Sequence, residues 1–166
     1  LAVLPLAALA EWRSAGTLNV PEYNYSFLDA TPQGNLLAAT FHSGQPDDPP
    51  REIPALLIRN IMSDQPEVIE LSSTAFPTQR GYGGIAGDPS GGYFVSGDTG
   101  DPATCFVRKF NFNGEPATQF GNNGEIRPNR RTLGMDVVGR YLLVAVDWGE
   151  VLVLDTQTGE RVGILH

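Results

Sequence analysis

Residues 139–159 read GRYLLVAVDWGEVLVLDTQTG. Two short apolar runs, rich in Val and Leu, are separated and bounded by turns that contain glycine. Such runs between Gly and Asp turn residues are typical of β-strands. The chain therefore runs out from Gly139, reverses at Asp147-Trp148-Gly149, and returns to a second turn at residues 155–159. We predict an antiparallel hairpin here.

The same pattern begins at Gly34 and again at Gly91. Recurrence at intervals of about 50 residues is the signature of a repeat architecture, and a propeller blade of four strands has about this length. No segment shows a helical period, and no long segment lacks glycine or proline. The sequence predicts an all-β fold, a partial β-propeller of about three four-stranded antiparallel blades.

The repeats divide the chain into a leader at 1–16 and blades at 17–74, 75–127 and 128–166. The first ten residues are apolar or proline and end in Ala8-Leu9-Ala10, which is typical of the second half of a secretory signal peptide. The alternative is an apolar strand or helix packed on the domain. The signal interpretation predicts a secreted or periplasmic protein without a membrane span.

Propellers close with about four to eight blades. Three repeats therefore predict an arc of a longer protein, or a chain that assembles with a second copy. The partners expected from the repeat number are the remaining blades or that copy.

Charge and cysteine content exclude several classes of protein. The net charge is −8, from 19 acidic and 11 basic residues, so the chain would repel nucleic acid. One cluster of bases, Arg127, Arg130 and Arg131, forms either a solvated loop or a contact to an anion. The single cysteine, Cys105, starts an apolar run and is predicted to be buried.

Two units resemble known propeller repeats. The third is similar to the quinoprotein-like, PQQ-type repeat, whose third strand ends in the pattern seen at residues 154–159, LDTQTG. The second resembles the delta-60 type of bacterial repeat at Phe112-Asn113-Gly114 and at residues 120–124. The Trp that usually ends a PQQ-type repeat is replaced by Gly163-Ile164-Leu165. The resemblance implies a propeller and leaves the activity open.

The function that these patterns favour is non-catalytic binding of a protein or glycan. Loops between blades are the usual binding surface, since rigid strands hold them in place, and the longest are predicted at 42–53, 74–84 and 98–104. The candidate ligand-binding residues are Tyr82, His42, Trp148 and Arg130. The alternatives for the aromatic residues are turn packing for Tyr82, and a packing or sugar-stacking role for Trp148.

The alternative function is a metal-dependent hydrolase similar to lactonase-like propellers. Asp98 and Asp147 directly follow the second strands of consecutive blades, and Asp101 lies in the same loop as Asp98. Carboxylates that converge could bind a divalent cation such as calcium. Each of these Asp residues also suits a turn, where its side chain accepts bonds from nearby amides. No other cofactor is predicted, because one cysteine cannot supply the vicinal pair of many quinoprotein dehydrogenases.

Overall fold

In a computed structural model, the structure describes residues 24–30, 36–41, 51–52, 55–59, 67–71, 77–78, 82–97 and 101–166. The strands are β1 Asn24–Ala30, β2 Leu36–Phe41, β3 Arg51–Glu52, β4 Ala55–Arg59, β5 Glu67–Leu71, β6 Pro77–Thr78, β7 Tyr82–Gly87, β8 Tyr93–Gly97, β9 Phe106–Phe110, β10 Glu125–Ile126, β11 Thr132–Val138, β12 Tyr141–Val146, β13 Glu150–Asp155 and β14 Arg161–Leu165. They form three four-stranded antiparallel sheets and one two-stranded pair.

Each large sheet is a meander, in which every strand pairs with the next strand of the same sheet along the chain. Sheet 1 has the order β1-β2-β4-β5, sheet 2 the order β7-β8-β9-β10, and sheet 3 the order β11-β12-β13-β14. The prediction of antiparallel four-stranded units is confirmed. The small pair of β3 and β6 corrects one prediction, because Arg51–Glu52 lies in the segment expected to be an uninterrupted loop.

The glycine turns lie between the first and second strands of sheets 2 and 3, as the repeat predicts. Gly91 has φ 120° and Gly139 has φ 60°, backbone conformations that glycine adopts without a steric cost. Asn113-Gly114 lies in a turn, since the Gly114 amide donates to the Asn111 carbonyl at 2.9 Å. β9 ends at Phe110, before this turn.

Successive sheets contact each other through their first strands, with β7 between β1 and β11. A Cβ placed on Gly84 would lie 3.1 Å from the Met135 amide nitrogen and 3.2 Å from Gly134 Cα. On the other side, Asp29 Oδ2 accepts a hydrogen bond from the Gly87 amide at 2.6 Å. Each sheet therefore packs against the next one in sequence.

The first strand of every sheet has an irregularity at the same place. Pairing shifts by one residue between Tyr25 and Phe27, between Tyr82 and Gly84, and between Thr132 and Gly134. The extra residues are Ser26, Gly83 and Leu133. Residues at the same distance from this β-bulge therefore occupy equivalent positions in the three sheets.

The described core lies between sheets 2 and 3. Its buried members are Ala86, Phe94, Val107, Phe120, Leu142, Val144, Val146, Leu152 and Leu154. Their alternation along β12 and β13 places one face of sheet 3 against sheet 2. Cys105 is a free, buried thiol, as predicted.

A buried lysine joins the same two sheets. Lys109 Nζ lies 2.6 Å from Asp88 Oδ2 within sheet 2, and it donates to the carbonyl of Thr156, in the turn after β13, at 2.8 Å. The Gly121 amide donates to the Thr158 carbonyl at 2.8 Å. In the ranges that the structure describes, no helix is long and apolar enough to cross a membrane.

Candidate functional site

The strand ends that three connections join lie at the same end of sheets 2 and 3, which we call the loop end. The connections join β8 to β9, β10 to β11, and β12 to β13. A Cβ placed on Gly83 would meet Thr132, and one placed on Gly84 would meet Gly134. β7 and β11 therefore run side by side in the same direction. The Asp147 amide donates to the Arg131 carbonyl at 3.0 Å and ties two of the connections together. The connections that follow the second strands contain short 3-10 turns, at Pro102–Thr104 and Asp147–Gly149.

Trp148 occupies the tightest of these turns. Val146 pairs with Glu150, so only three residues reverse the chain. Trp148 has φ 68° and Gly149 has φ 80°, the left-handed region that hairpins of this length use. Glycine enters that region freely, whereas a bulky side chain there is an outlier. The Trp148 side chain is nevertheless 83% exposed, so burial of its ring does not offset this cost.

Arg130 lies against the indole of Trp148. Its guanidinium carbon is 5.1 Å from the ring centroid, within the range of a cation–π contact. Arg130 Nη1 also donates to Glu150 Oε2 at 2.6 Å. The neighbouring Asn129 has φ 56°, so a left-handed residue stands on each side of this contact.

Glu150 completes the group as the first residue of β13. Its side chain is 20% exposed, and its second oxygen lies 3.9 Å from His166 Nδ1. We call Arg130, Trp148 and Glu150 the Trp148 platform. The ion pair neutralises both charges, and an almost fully exposed aromatic ring stands beside it. Such a group offers stacking on a flat surface together with polar atoms at its rim.

The structure brings two of the predicted ligand-binding residues together, Arg130 and Trp148. Tyr82 is the first residue of β7, and only its backbone belongs to the described part. His42 lies outside the described residues. Sequence reasoning missed Glu150 as the partner of Arg130. The sequence position of Glu150 could have indicated this partner. Glu150 begins a strand directly after a turn, at the same end of sheet 3 as the connection that contains Arg130.

The candidate metal ligands are not seen to converge. Asp101 Oδ1 accepts from the Ala103 amide at 3.0 Å, so this carboxylate caps the short turn that follows it. Asp147 Oδ1 is buried, with no hydrogen-bond partner in the described part of the chain. Asp98 lies outside that part. Among the described residues, no three His, Cys, Asp or Glu side chains come together to hold a metal. The metal site remains a prediction.

Comparison with known proteins does not name a family for this fold and site. No protein-family model matches the chain, and no curated protein matches its sequence significantly. The resemblance to propeller repeats therefore stays a prediction.

Proposed function

We propose that this chain is a non-catalytic binding segment of a β-propeller, secreted or periplasmic, which holds its ligand at the loop end. One observation carries the proposal. The Trp148 platform combines an 83% exposed indole with a fixed ion pair, on a turn whose backbone is strained. Backbone strain is concentrated at functional sites. The apolar leader ending at Ala10 supports export.

The arrangement of the sheets supports a propeller. Three four-stranded meanders follow one another, their first strands adjacent and bulged at the same place. In a propeller, blades pack in this order around a channel. Rigid sheets of this kind hold connecting loops in place, which suits a binding role.

One face of sheet 3 indicates that the series of packed sheets continues beyond sheet 3. Asp29, Ala86 and Asp136 stand three residues after the bulge in their sheets. Asp29 accepts from sheet 2, and Ala86 is buried against sheet 3, whereas Asp136 is exposed and accepts only from the adjacent Val137 amide at 2.8 Å among the described contacts.

The rest of that face is apolar and uncovered. Strand pairing places Val138 and Leu165 on the same side as Asp136, and they are 56% and 55% exposed. We infer that a further four-stranded sheet of the same repeat covers this face. Its first strand would supply the amide that Asp136 lacks.

Binding at the loop end is tested by probing arrays of purified glycans and peptides with the protein and its variants. Trp148→Asn removes the ring and keeps a residue that tolerates the left-handed region. Arg130→Gln removes the cation. The matched control is Tyr141→Ala, since Tyr141 is 40% exposed and Arg140 lies 5.7 Å from its ring centroid, at the opposite end of sheet 3.

We expect a defined ligand that the native protein and Tyr141→Ala retain and that both platform variants lose. Equal retention by all four proteins, or loss only in Tyr141→Ala, would place ligand binding elsewhere and contradict the proposal.

A further inference from the structure

We propose that the Trp148 platform binds the ring of a neutral pyranose sugar, stacked on the indole face that Arg130 leaves open. This inference rests on the proposed function and names its ligand class. It is argued from the rigidity of the platform, its charge and the residues around it.

The backbone of the platform is constrained before any ligand arrives. Trp148 stands in a three-residue turn, and Arg130 bridges the indole and the Glu150 carboxylate, which lies 2.6 Å from its Nη1. Among the described residues, three that are not glycine have positive φ, and two of them, Asn129 and Trp148, stand in these connections. A ligand that stacks on a ring already in place loses less side-chain entropy on binding.

The ion pair disfavours two classes of ligand. A cationic ligand gains less from the indole, because the Arg130 guanidinium already occupies a cation–π position 5.1 Å from the ring centroid. An anionic ligand would have to displace Glu150 from its bond to Arg130, in a chain of net charge −8. The platform therefore favours a neutral molecule.

The residues next to the stacked side chains in sequence are not typical of an apolar protein-binding surface. Interface hot spots are ringed by contacts that exclude water. The residues adjacent in sequence to the two stacked side chains are Asn129, Arg131, Asp147 and Gly149. None of these supplies an apolar ring around the indole.

A pyranose has the remaining combination of properties. One face of the sugar ring presents C–H groups, whose slight positive charge suits the negative face of an aromatic ring. On the face of the indole that Arg130 leaves open, these C–H groups stack on the 83% exposed ring, and the hydroxyls at the rim of the sugar stay in contact with water.

The experiment is a titration of tryptophan fluorescence with methyl hexopyranosides of glucose, galactose and mannose. The sequence contains two tryptophans, so Trp12→Phe leaves Trp148 as the sole reporter. For a ligand of about a dozen heavy atoms we expect a dissociation constant on the order of 1 mM. Because the sugar displaces water from an 83% exposed ring, the emission should shift to shorter wavelength and saturate.

Calorimetry on Trp148→Asn and Tyr141→Ala supplies the comparison. We expect at least a tenfold loss of affinity for the sugar in the first variant and none in the second. Circular dichroism confirms that both variants fold. Trp148→Phe provides a further check, because a smaller ring should retain part of the affinity.

No saturable shift with any pyranoside up to about 50 mM, some fifty times the expected constant, would overturn the sugar assignment. So would a shift with adenosine alone, which stacks without presenting a C–H face. A peptide found on the array and lost in Trp148→Asn would overturn the ligand class while leaving the proposed function intact.

Discussion

At the scale of single residues, Trp148 costs the fold more than it contributes. Its ring is 83% exposed, so it adds little hydrophobic stabilisation, while its φ of 68° is unfavourable for a bulky side chain. Arg130 offsets part of this through one cation–π contact. The indole therefore contributes little to the stability of the fold.

Replacing Trp148 with Asn is expected to leave stability unchanged or to raise the free energy of unfolding by up to about 1 kcal/mol, because Asn relieves the left-handed strain. Urea unfolding of the two proteins measures the difference. A loss of more than about 1 kcal/mol would show that the indole is a structural residue, against the role proposed for it.

Asp155, in contrast to Trp148, is buried, and it stabilises the turn in which it stands. Its Oδ2 accepts from Arg140 Nη2 at 2.5 Å, and its Oδ1 accepts from the amides of Thr158 at 3.0 Å and Gln157 at 2.9 Å. The bond from Arg140 is the largest cause that lowers the pKa of this carboxyl, from 3.8 to about 2, followed by the two amides. The charged form is therefore favoured in the folded state.

A carboxyl whose pKa is lower in the folded state stabilises the fold above its unfolded pKa. This contribution is present above pH 4 and is lost as the pH falls from about 4 to about 2. Asp155→Asn should be less stable than the native protein by about 1 kcal/mol at pH 7, and most of this difference should be lost by the time the pH has fallen to about 2. Unfolding of both proteins from pH 7 to pH 2 measures it. A difference that does not change with pH would contradict the assignment.

At the scale of elements, the first strands β1, β7 and β11 determine how sheets pack. Gly84 and Gly134 both follow the bulge directly, in β7 and β11. A Cβ on Gly84 would meet the backbone of β11 at 3.1 Å, whereas a Cβ on Gly134 would meet nothing within 4 Å. The close approach of two backbones explains the glycine in β7.

The pair gives a matched test of this packing. Gly84→Ala should destabilise the protein by about 1–3 kcal/mol, the usual cost of overpacking. Gly134→Ala should change stability by no more than about 0.5 kcal/mol, as expected away from close contacts. Thermal unfolding of both variants decides the matter. Equal effects would mean that β7 and β11 are not in close contact.

At the scale of the whole molecule, the two faces of sheet 3 differ in what covers them. Leu142 and Val144 face sheet 2 and are 0% exposed, while Val138 and Leu165 on the other face are 56% and 55% exposed. The two side chains stand at opposite corners of that face, on the two edge strands of the sheet, and exposed apolar surface of this kind marks interaction sites. We therefore expect the isolated chain to associate through this face.

Val138→Lys with Leu165→Lys should weaken that association at least several-fold, because each charge would have to be desolvated. Val162→Lys is the control, since Val162 is 53% exposed but lies at a register shift of the edge strand. Sedimentation velocity over a range of concentrations measures the effect. A monodisperse native monomer, or an equal effect of the control, would contradict the role of this face.

Local patterns in the sequence were sufficient for much of the fold. The hairpin predicted from residues 139–159 is formed by β12 and β13, and Gly91 and Gly139 stand in the turns that the repeat placed there. The short pair of β3 and β6 was missed, since two residues are too few to show a period. The contact of Arg130 with Glu150 was missed because it joins connections 20 residues apart.

The sequence by itself determined the class of structure and the positions of the turns. Alternation of side chains and the backbone freedom of glycine act over a few residues, so they can be recognised in a linear chain. Tertiary structure alone decided that Arg130 stacks on Trp148 beside Glu150, and that Asp136 has no neighbouring sheet among the described residues. Both depend on which connections and faces meet in space, and that follows from the packing of whole sheets.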